Sequence, residues 1–166
     1  FANFDDLSTD AIVYDATNTD TIDTWVPAAQ LSLFKYELKS NENSFTTAVQ
    51  TSRDNGTTFF EQTLSISLKK QDQAMHKNIK LLAYGRPRII IRTMTDQFFL
   101  MGLAQGCDTT AGEISSGAAM GDFNGYKLTF VASEVLPANF IDVSTEAALK
   151  TAFADSAGAD ANIVTA

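Results

Sequence analysis

FFEQTLSISLKK (59–70), QDQAMHKNIKLLAYGR (71–86) and PRIIIRTMTDQFFLMGL (87–103) run on from one another and decide the fold class. In the first piece Phe60, Leu64, Ile66 and Leu68 share one parity, and Phe59, Glu61, Thr63, Ser65 and Ser67 the other. A period of two with one apolar face predicts a long strand, Thr57–Lys69, buried on one side and wet on the other. In the second piece Met75, Ile79 and Leu82, with Leu81 beside them, recur at helical spacing. Asp72 is placed to cap that helix, Gly85 to close it in the left-handed conformation, and Pro87 to stop it. The third piece predicts a hairpin, Arg88–Met94 against Phe98–Leu103, turning at Thr95-Asp96-Gln97. The unit is therefore strand, helix, strand, strand.

Outward from this unit the chain reads as short strands. Asp54-Asn55-Gly56 separates SFTTAVQT (44–51) from the long strand, and Asn-Gly between two such runs is a hairpin signal because both positions tolerate positive φ. Upstream, Ala11–Tyr14 and Thr21–Val26 read as strands around a turn at Asp15–Asp20, and Leu31–Lys39 as a strand with large residues on both faces. Downstream, Gly106–Asp122 reads as a loop or a loose edge strand around Asp108–Ser115, and Tyr126–Ser133 as a strand with one buried face. Ser144 is placed to cap a short helix over Thr145–Ala154 with Ala148, Leu149, Ala152 and Phe153 on its apolar side. Ser156–Ala166 reads as loose unless a partner orders it. The expected fold is mainly β, a β-sandwich or partial barrel with one flanking α-helix and a short C-terminal helix. Its organisation is a β domain over 1–143 followed by a short helix and tail over 144–166. No internal repeat emerges.

The 166 residues include 45% hydrophobic ones and twelve Phe, enough to build one core. The formal net charge of −8 opposes a general grip on nucleic acid. Charge is unevenly placed, however. Lys69, Lys70, Lys77, Lys80, Arg86, Arg88 and Arg92 fall within 69–92 against Asp72 alone, leaving five basic and nineteen acidic residues elsewhere. The plain reading is a solvated helix face. The sharper one is a basic region that docks on an acidic region of a neighbouring copy. No apolar run approaches the length of a membrane-spanning helix, so no membrane partner is expected. The chain opens at Phe1 rather than methionine, so the lack of a visible secretory signal says little.

No constellation of residues points to catalysis. His76 is the single histidine and reads as a surface helix residue. Cys107 is the single cysteine, so no intramolecular disulfide is possible, and it reads as a structural thiol. One His and one Cys far apart argue against zinc. Asp5-Asp6 and Asp122-x-Asn124-Gly125 are too short for a calcium loop, and Gly102-x-x-x-Gly106 lacks the Lys-Ser/Thr of a phosphate loop. Phe98, Phe99, Tyr126 and Phe130 at strand spacing read as core rather than as a base-stacking platform. No cofactor, metal or catalytic residue is expected.

NSFTTAVQTSRDNGTTFFEQTLSISL (43–68), the helix ending KLLAYGRPRIII (80–91) and FFLMGLAQGCDTTAGEISSGAAMGDFNGYKLTFVASE (98–134) together resemble the tail tube (major tail) proteins of long-tailed bacteriophages. The resemblance covers Ala2 to Ile141. It is most marked in the small-residue loop and Gly-Asp-x-Asn-Gly-Tyr of 117–134, which are structural rather than catalytic motifs. It implies six copies in a ring with an inner β-barrel, rings stacked head to tail into a hollow tube, and viral DNA passing through the lumen without specific binding. It also implies other tail proteins as partners, a place in the virion, and synthesis in the host bacterial cytoplasm. Lys77, Lys80, Arg86, Arg88, Glu42, Arg53 and Asp54 are the expected subunit-contact residues. The loops Lys39–Asn43 and Gly106–Asp122 are expected to reach adjacent rings and to order there. A capsid decoration or head–tail connector protein is the alternative within the same class, and an enzyme or small-ligand module is the alternative outside it.

Overall fold

The computed structural model describes residues 1–2, 12–119 and 121–165. Asp5, Asp6 and Ala11, on which some of the expectations above fall, lie outside these. The elements in chain order are β1 (Ile12–Tyr14), β2 (Thr21–Trp25), β3 (Ser32–Lys35), β4 (Ser44–Ser52), β5 (Thr57–Lys69), α1 (Gln73–Tyr84), β6 (Ile89–Arg92), β7 (Phe98–Met101), β8 (Asp108–Ser115), β9 (Gly125–Glu134), β10 (Asn139–Ile141), α2 (Glu146–Ala152) and β11 (Asn162–Thr165). Three sheets result: a four-stranded antiparallel sheet β4-β5-β9-β8, a five-stranded sheet β1-β2-β10-β7-β6, and the parallel pair β11-β3. The fold is mainly β, and no sheet closes into a barrel.

The period-two reading of β5 explains the first layer. Leu64, Ile66 and Leu68 on β5 and Tyr126, Leu128, Phe130 and Ala132 on β9 share one buried face. That face packs against Ile89 and Met101 of the five-stranded sheet and Ile79 of α1. Burying an aliphatic or aromatic side chain of this size contributes roughly 1.5–3 kcal/mol, so this face is the main stabilising contact between the layers. β6 and β7 are apolar on both faces for the same geometric reason. Ile89 and Met101 are opposed and point to this first core, while Ile90 and Leu100, one residue along, point to a second. The second core gathers Ile22, Trp25, Leu31, Leu33, Phe98, Leu100, Ile141 and the α2 residues Leu149, Ala152 and Phe153.

Five local expectations need correcting. Gly85 ends α1 in extended backbone (φ −88°, ψ 172°), not in the left-handed conformation, and its N–H bonds back to Leu81 O. Pro87 is already buried behind it, so the chain leaves straight into β6. Asp72 occupies the position before α1 without a side-chain cap bond. The cap of α2 is Thr145, whose hydroxyl accepts from Ala148 N at 3.1 Å, not Ser144. The strand foreseen over Leu31–Lys39 is confined to Ser32–Lys35. The last segment is not loose: Asn162–Thr165 pairs in parallel with Ser32–Lys35, and α2 and Ala161 belong to the second core. A mostly exposed tetrapeptide, even with three β-branched residues, carries too little pattern to announce a strand whose partner is some 130 residues away. β10, a three-residue strand that begins two residues after Pro137, escaped the sequence reading for the same reason.

Candidate assembly surfaces

The hairpin β4–β5 is longer than the sheet that carries it. β5 pairs with β9 from Lys69↔Gly125 only as far as Phe60↔Glu134, whereas β4 continues to Ser52↔Thr57. The hairpin end is thus a two-stranded ribbon standing clear of β9, turned at Gly56 with φ +63°. Val49, opposite Phe60 where the ribbon begins, is 61% exposed. Arg53 and Asp54 sit at its tip, exposed, and neither joins an ion pair among the described residues.

The four-stranded sheet has two free edges, β4 and β8. Its order and antiparallel pairing make β4 and β8 run in opposite directions. Its face turned away from the core is mostly polar, with Ser44, Thr46 and Gln50 on β4, Glu61, Thr63 and Ser65 on β5, and Thr129 and Ser133 on β9, but it also carries Phe59 and Val131. Of the charges on that face, Lys127 and Asp108 are in ion pairs, whereas Glu61 and Glu113 are in none among the described residues. Lys127 Nζ lies 3.3 Å from a Glu42 carboxylate oxygen, and Glu113 is its cross-strand neighbour.

The expected contact residues divide. Lys77 and Lys80 are exposed on α1 and unpaired among the described residues. Arg86 pairs with Asp108 at 3.0 Å, and Arg92, in the same basic stretch, with Asp96. Arg88 is removed from the surface altogether. It is 2% exposed, with Nε donating to Leu103 O at 3.0 Å and its guanidinium 5.0 Å above the Trp25 ring. The basic surface is therefore the lysines, Lys69, Lys70, Lys77 and Lys80, rather than the arginines. The loops expected to await a neighbour are tied to their own subunit. Asn43 Oδ1 accepts from Ser67 N at 2.8 Å, and Asp122 Oδ2 accepts from Ala118 N and Ala119 N. Those two bonds hold the Asp122 carboxyl below the ordinary carboxylate range.

A buried polar clamp, which sequence did not announce, joins the two layers where β7 exits. Gln62, 1% exposed, accepts from Gly102 N and donates to Leu136 O. Glu134, 5% exposed, accepts through Oε1 from Ala104 N at 3.0 Å and Gln105 N at 2.8 Å. Burial raises its pKa, against those two bonds and nearby Arg88. The only sequence trace is that Gln62 and Glu134 occupy inward positions of otherwise apolar strands. Gly102, at φ +73°, closes the turn, and a Cβ there would lie 2.6 Å from Cys107 Sγ. Burial also pushes the Cys107 thiol far above its ordinary pKa, which leaves it protonated and unreactive. His76 lies on α1 with its ring 6.2 Å from Tyr126. No cluster of metal-ligating side chains occurs among the described residues. A groove of about 410 Å³ runs between β3 and β6, rimmed by the Lys35–Glu146 ion pair at 2.8 Å and lined chiefly by apolar residues such as Leu33, Ile66 and Ile91.

No protein-family model matches the chain, and no curated protein matches it. Among solved structures it is similar to a chain of the "Virion of native gene transfer agent (GTA) particle", at 12% identity and a TM-score of 0.35, covering 84% of this chain and 98% of that one. A likeness that slight bears on neither fold nor function.

Proposed function

We propose that this chain is a structural subunit of a phage-type virion. Its copies join side by side into rings, six to a ring, and the rings stack into the hollow tube of a tail. The observation that carries this reading is the four-stranded sheet with two free, oppositely directed edges and a mostly polar outer face. An even number of antiparallel strands lets β4 of one copy pair antiparallel with β8 of the next and keep the alternation unbroken around a ring. Joining a patch to a different patch is a heterologous contact, which closes when the rotation allows. Free edges that would otherwise invite aggregation are then consumed by closure.

Six four-stranded sheets would make a barrel of about 24 strands. At a strand spacing of about 4.8 Å and a tilt of about 40°, its backbone diameter is about 48 Å, wide enough for duplex DNA. The wall inside would be hydroxyl-rich, with Lys127 neutralised by Glu42. Such a wall offers DNA no row of cations to hold it. Other tail proteins would meet the ends of the tube, and assembly would take place in the host bacterial cytoplasm. Negative-stain microscopy and analytical ultracentrifugation of the purified chain test the proposal. Rings and hollow tubes are expected. Rings that never stack favour a head–tail connector, flat or isolated capsid-bound copies favour a decoration protein, and a monomer at all concentrations overturns the reading.

A further inference from the structure

The two flanks of the subunit differ in chemistry, and the difference is complementary. One flank is α1, which packs beside β8: Thr109 donates its hydroxyl proton to Leu82 O, and Ile79 is the one helix residue fully buried. Lys77, Leu81 and Tyr84 recur at i, i+4 and i+7, with Lys80 next to Leu81, so one face of the helix is basic, apolar and aromatic. Leu81 is 62% and Tyr84 83% exposed. Neither lysine of this face forms an ion pair among the described residues.

The other flank lies beyond β4. The Phe45 ring on β4 lies tilted against Phe99 of β7 at 6.0 Å between centroids, and Phe99 against Phe140 of β10 at 4.4 Å. Beyond β10 the five-stranded sheet continues through β2 and β1, so it overhangs the β4 edge. Phe140 is 43% exposed on this overhang. Ile141 and Ile22 are partners across β10 and β2 and point to the second core; Asp23, the next residue of β2, is exposed, and Asp142, just past β10, is exposed with its N–H bonded to Ile22 O. Asp20, Asp23 and Asp142 are all exposed and belong to no ion pair among the described residues. This flank is therefore acidic around an exposed aromatic ring.

We infer that the Lys77–Lys80–Leu81–Tyr84 face of α1 docks on the Asp23–Phe140–Asp142 overhang of a second copy of this chain. The inference rests on the ring reading above and names the contact that locks it. If β4 of one copy meets β8 of the next, the helix that flanks β8 arrives at the overhang that flanks β4. The lysines then face the aspartates, and Leu81 and Tyr84 cover Phe140. Opposite charges set the register of the contact, and apolar area supplies its affinity. A helix-to-overhang contact joins two unlike surfaces, so each copy uses both and the chain of contacts continues around the ring.

The test uses the full chain and three variants, K77E/K80E, D23K/D142K and the four-fold combination, with sedimentation velocity to follow ring formation and circular dichroism to verify folding. Each pair alone should raise the concentration needed for rings by roughly tenfold or more, and the combination should restore it. A second readout pairs Tyr84→Cys with Phe140→Cys under mild oxidation, Cys107 being buried. A disulfide ladder beyond the dimer is expected, because an unlike-surface contact propagates. Rings that form equally well in all variants overturn the docking inference while leaving the ring reading intact. The absence of rings from the unmodified chain overturns both. Cross-linked dimers without higher rungs point to a two-fold contact and also overturn it.

Discussion

Replacing Glu134 by alanine removes the acceptor of two backbone N–H groups, those of Ala104 and Gln105. A buried donor left without a partner costs roughly 1–3 kcal/mol. Ala104 and Gln105 are exposed residues, so water can reach part of the freed backbone, and the expected loss is near the lower end for two donors, about 2–3 kcal/mol. Glutamine keeps an oxygen in the same place and removes only the charge. Because burial is the leading influence on Glu134 and raises its pKa, Glu134→Gln should lie within about 1 kcal/mol of the parent. The sign of the pH dependence follows from linkage. A carboxyl whose pKa is higher in the folded state holds its proton more tightly when folded, so its contribution is full below the unfolded pKa and is lost as pH rises through the folded one. The glutamine variant should therefore gain on the parent as pH rises above the ordinary glutamate pKa of about 4.3. Urea unfolding at protein concentrations below assembly, with equal m-values as the check on two-state behaviour, measures all three proteins. Equal stability of the alanine and glutamine variants, or a parent that gains on the glutamine variant as pH rises, would refute the clamp.

Gly125 opens β9 where the backbones of β5 and β9 meet, and a Cβ there would overlap the Leu68 carbonyl oxygen. Gly125→Ala should cost about 3 kcal/mol or more in urea midpoint terms, whereas Gly56→Ala, with open space around it but φ +63°, should lose about 1 kcal/mol. Thr145→Ala should lower stability by about 1 kcal/mol through the lost α2 cap, and Ser144→Ala should leave it unchanged; the reverse order in thermal melts would restore Ser144 as the cap.

Much of the fold was legible because its longest elements repeat a pattern many times. β5 offers alternation over thirteen residues and is bounded by Asn-Gly and a double lysine, so both its ends and its buried face could be read. β8, within a small-residue segment, was readable as an edge strand because one covered side demands little apolar patterning. What escaped depended on partners distant in sequence. Arg88 looked like part of a basic run, but its burial is decided by the Trp25 ring and the Leu103 carbonyl, neither of which local spacing reveals. Asp23 and Asp142 acquire meaning only once β2 and β10 lie side by side in parallel. Leu81 carried a local signal. Assigned to the buried stripe, it shares its helical face with Lys77 and Tyr84 instead, and an apolar residue stranded on a charged face is itself a sign of a partner.

In the proposed assembly, charge would set opposite salt dependences for the two steps. Within a ring, the proposed contact brings Lys77 and Lys80 close to Asp23 and Asp142, and short-range attraction between unlike charges weakens as salt rises. Between the proposed rings, every subunit would bring a net charge of −8, so whole rings would repel one another across their faces. That repulsion acts over longer distances, and the Debye length, about 30 Å at 0.01 M salt, shrinks to about 8 Å at 0.15 M. Ring closure should therefore be favoured at low ionic strength and stacking at moderate ionic strength. In sedimentation runs from about 0.01 M to about 0.5 M salt, isolated rings should dominate first, tubes next, and smaller species last as the ring contact is screened. Tubes that form best at the lowest salt would mean that complementary patches on the ring faces outweigh the net charge, and the lysines of α1 would then belong to the stacking surface rather than to the flank.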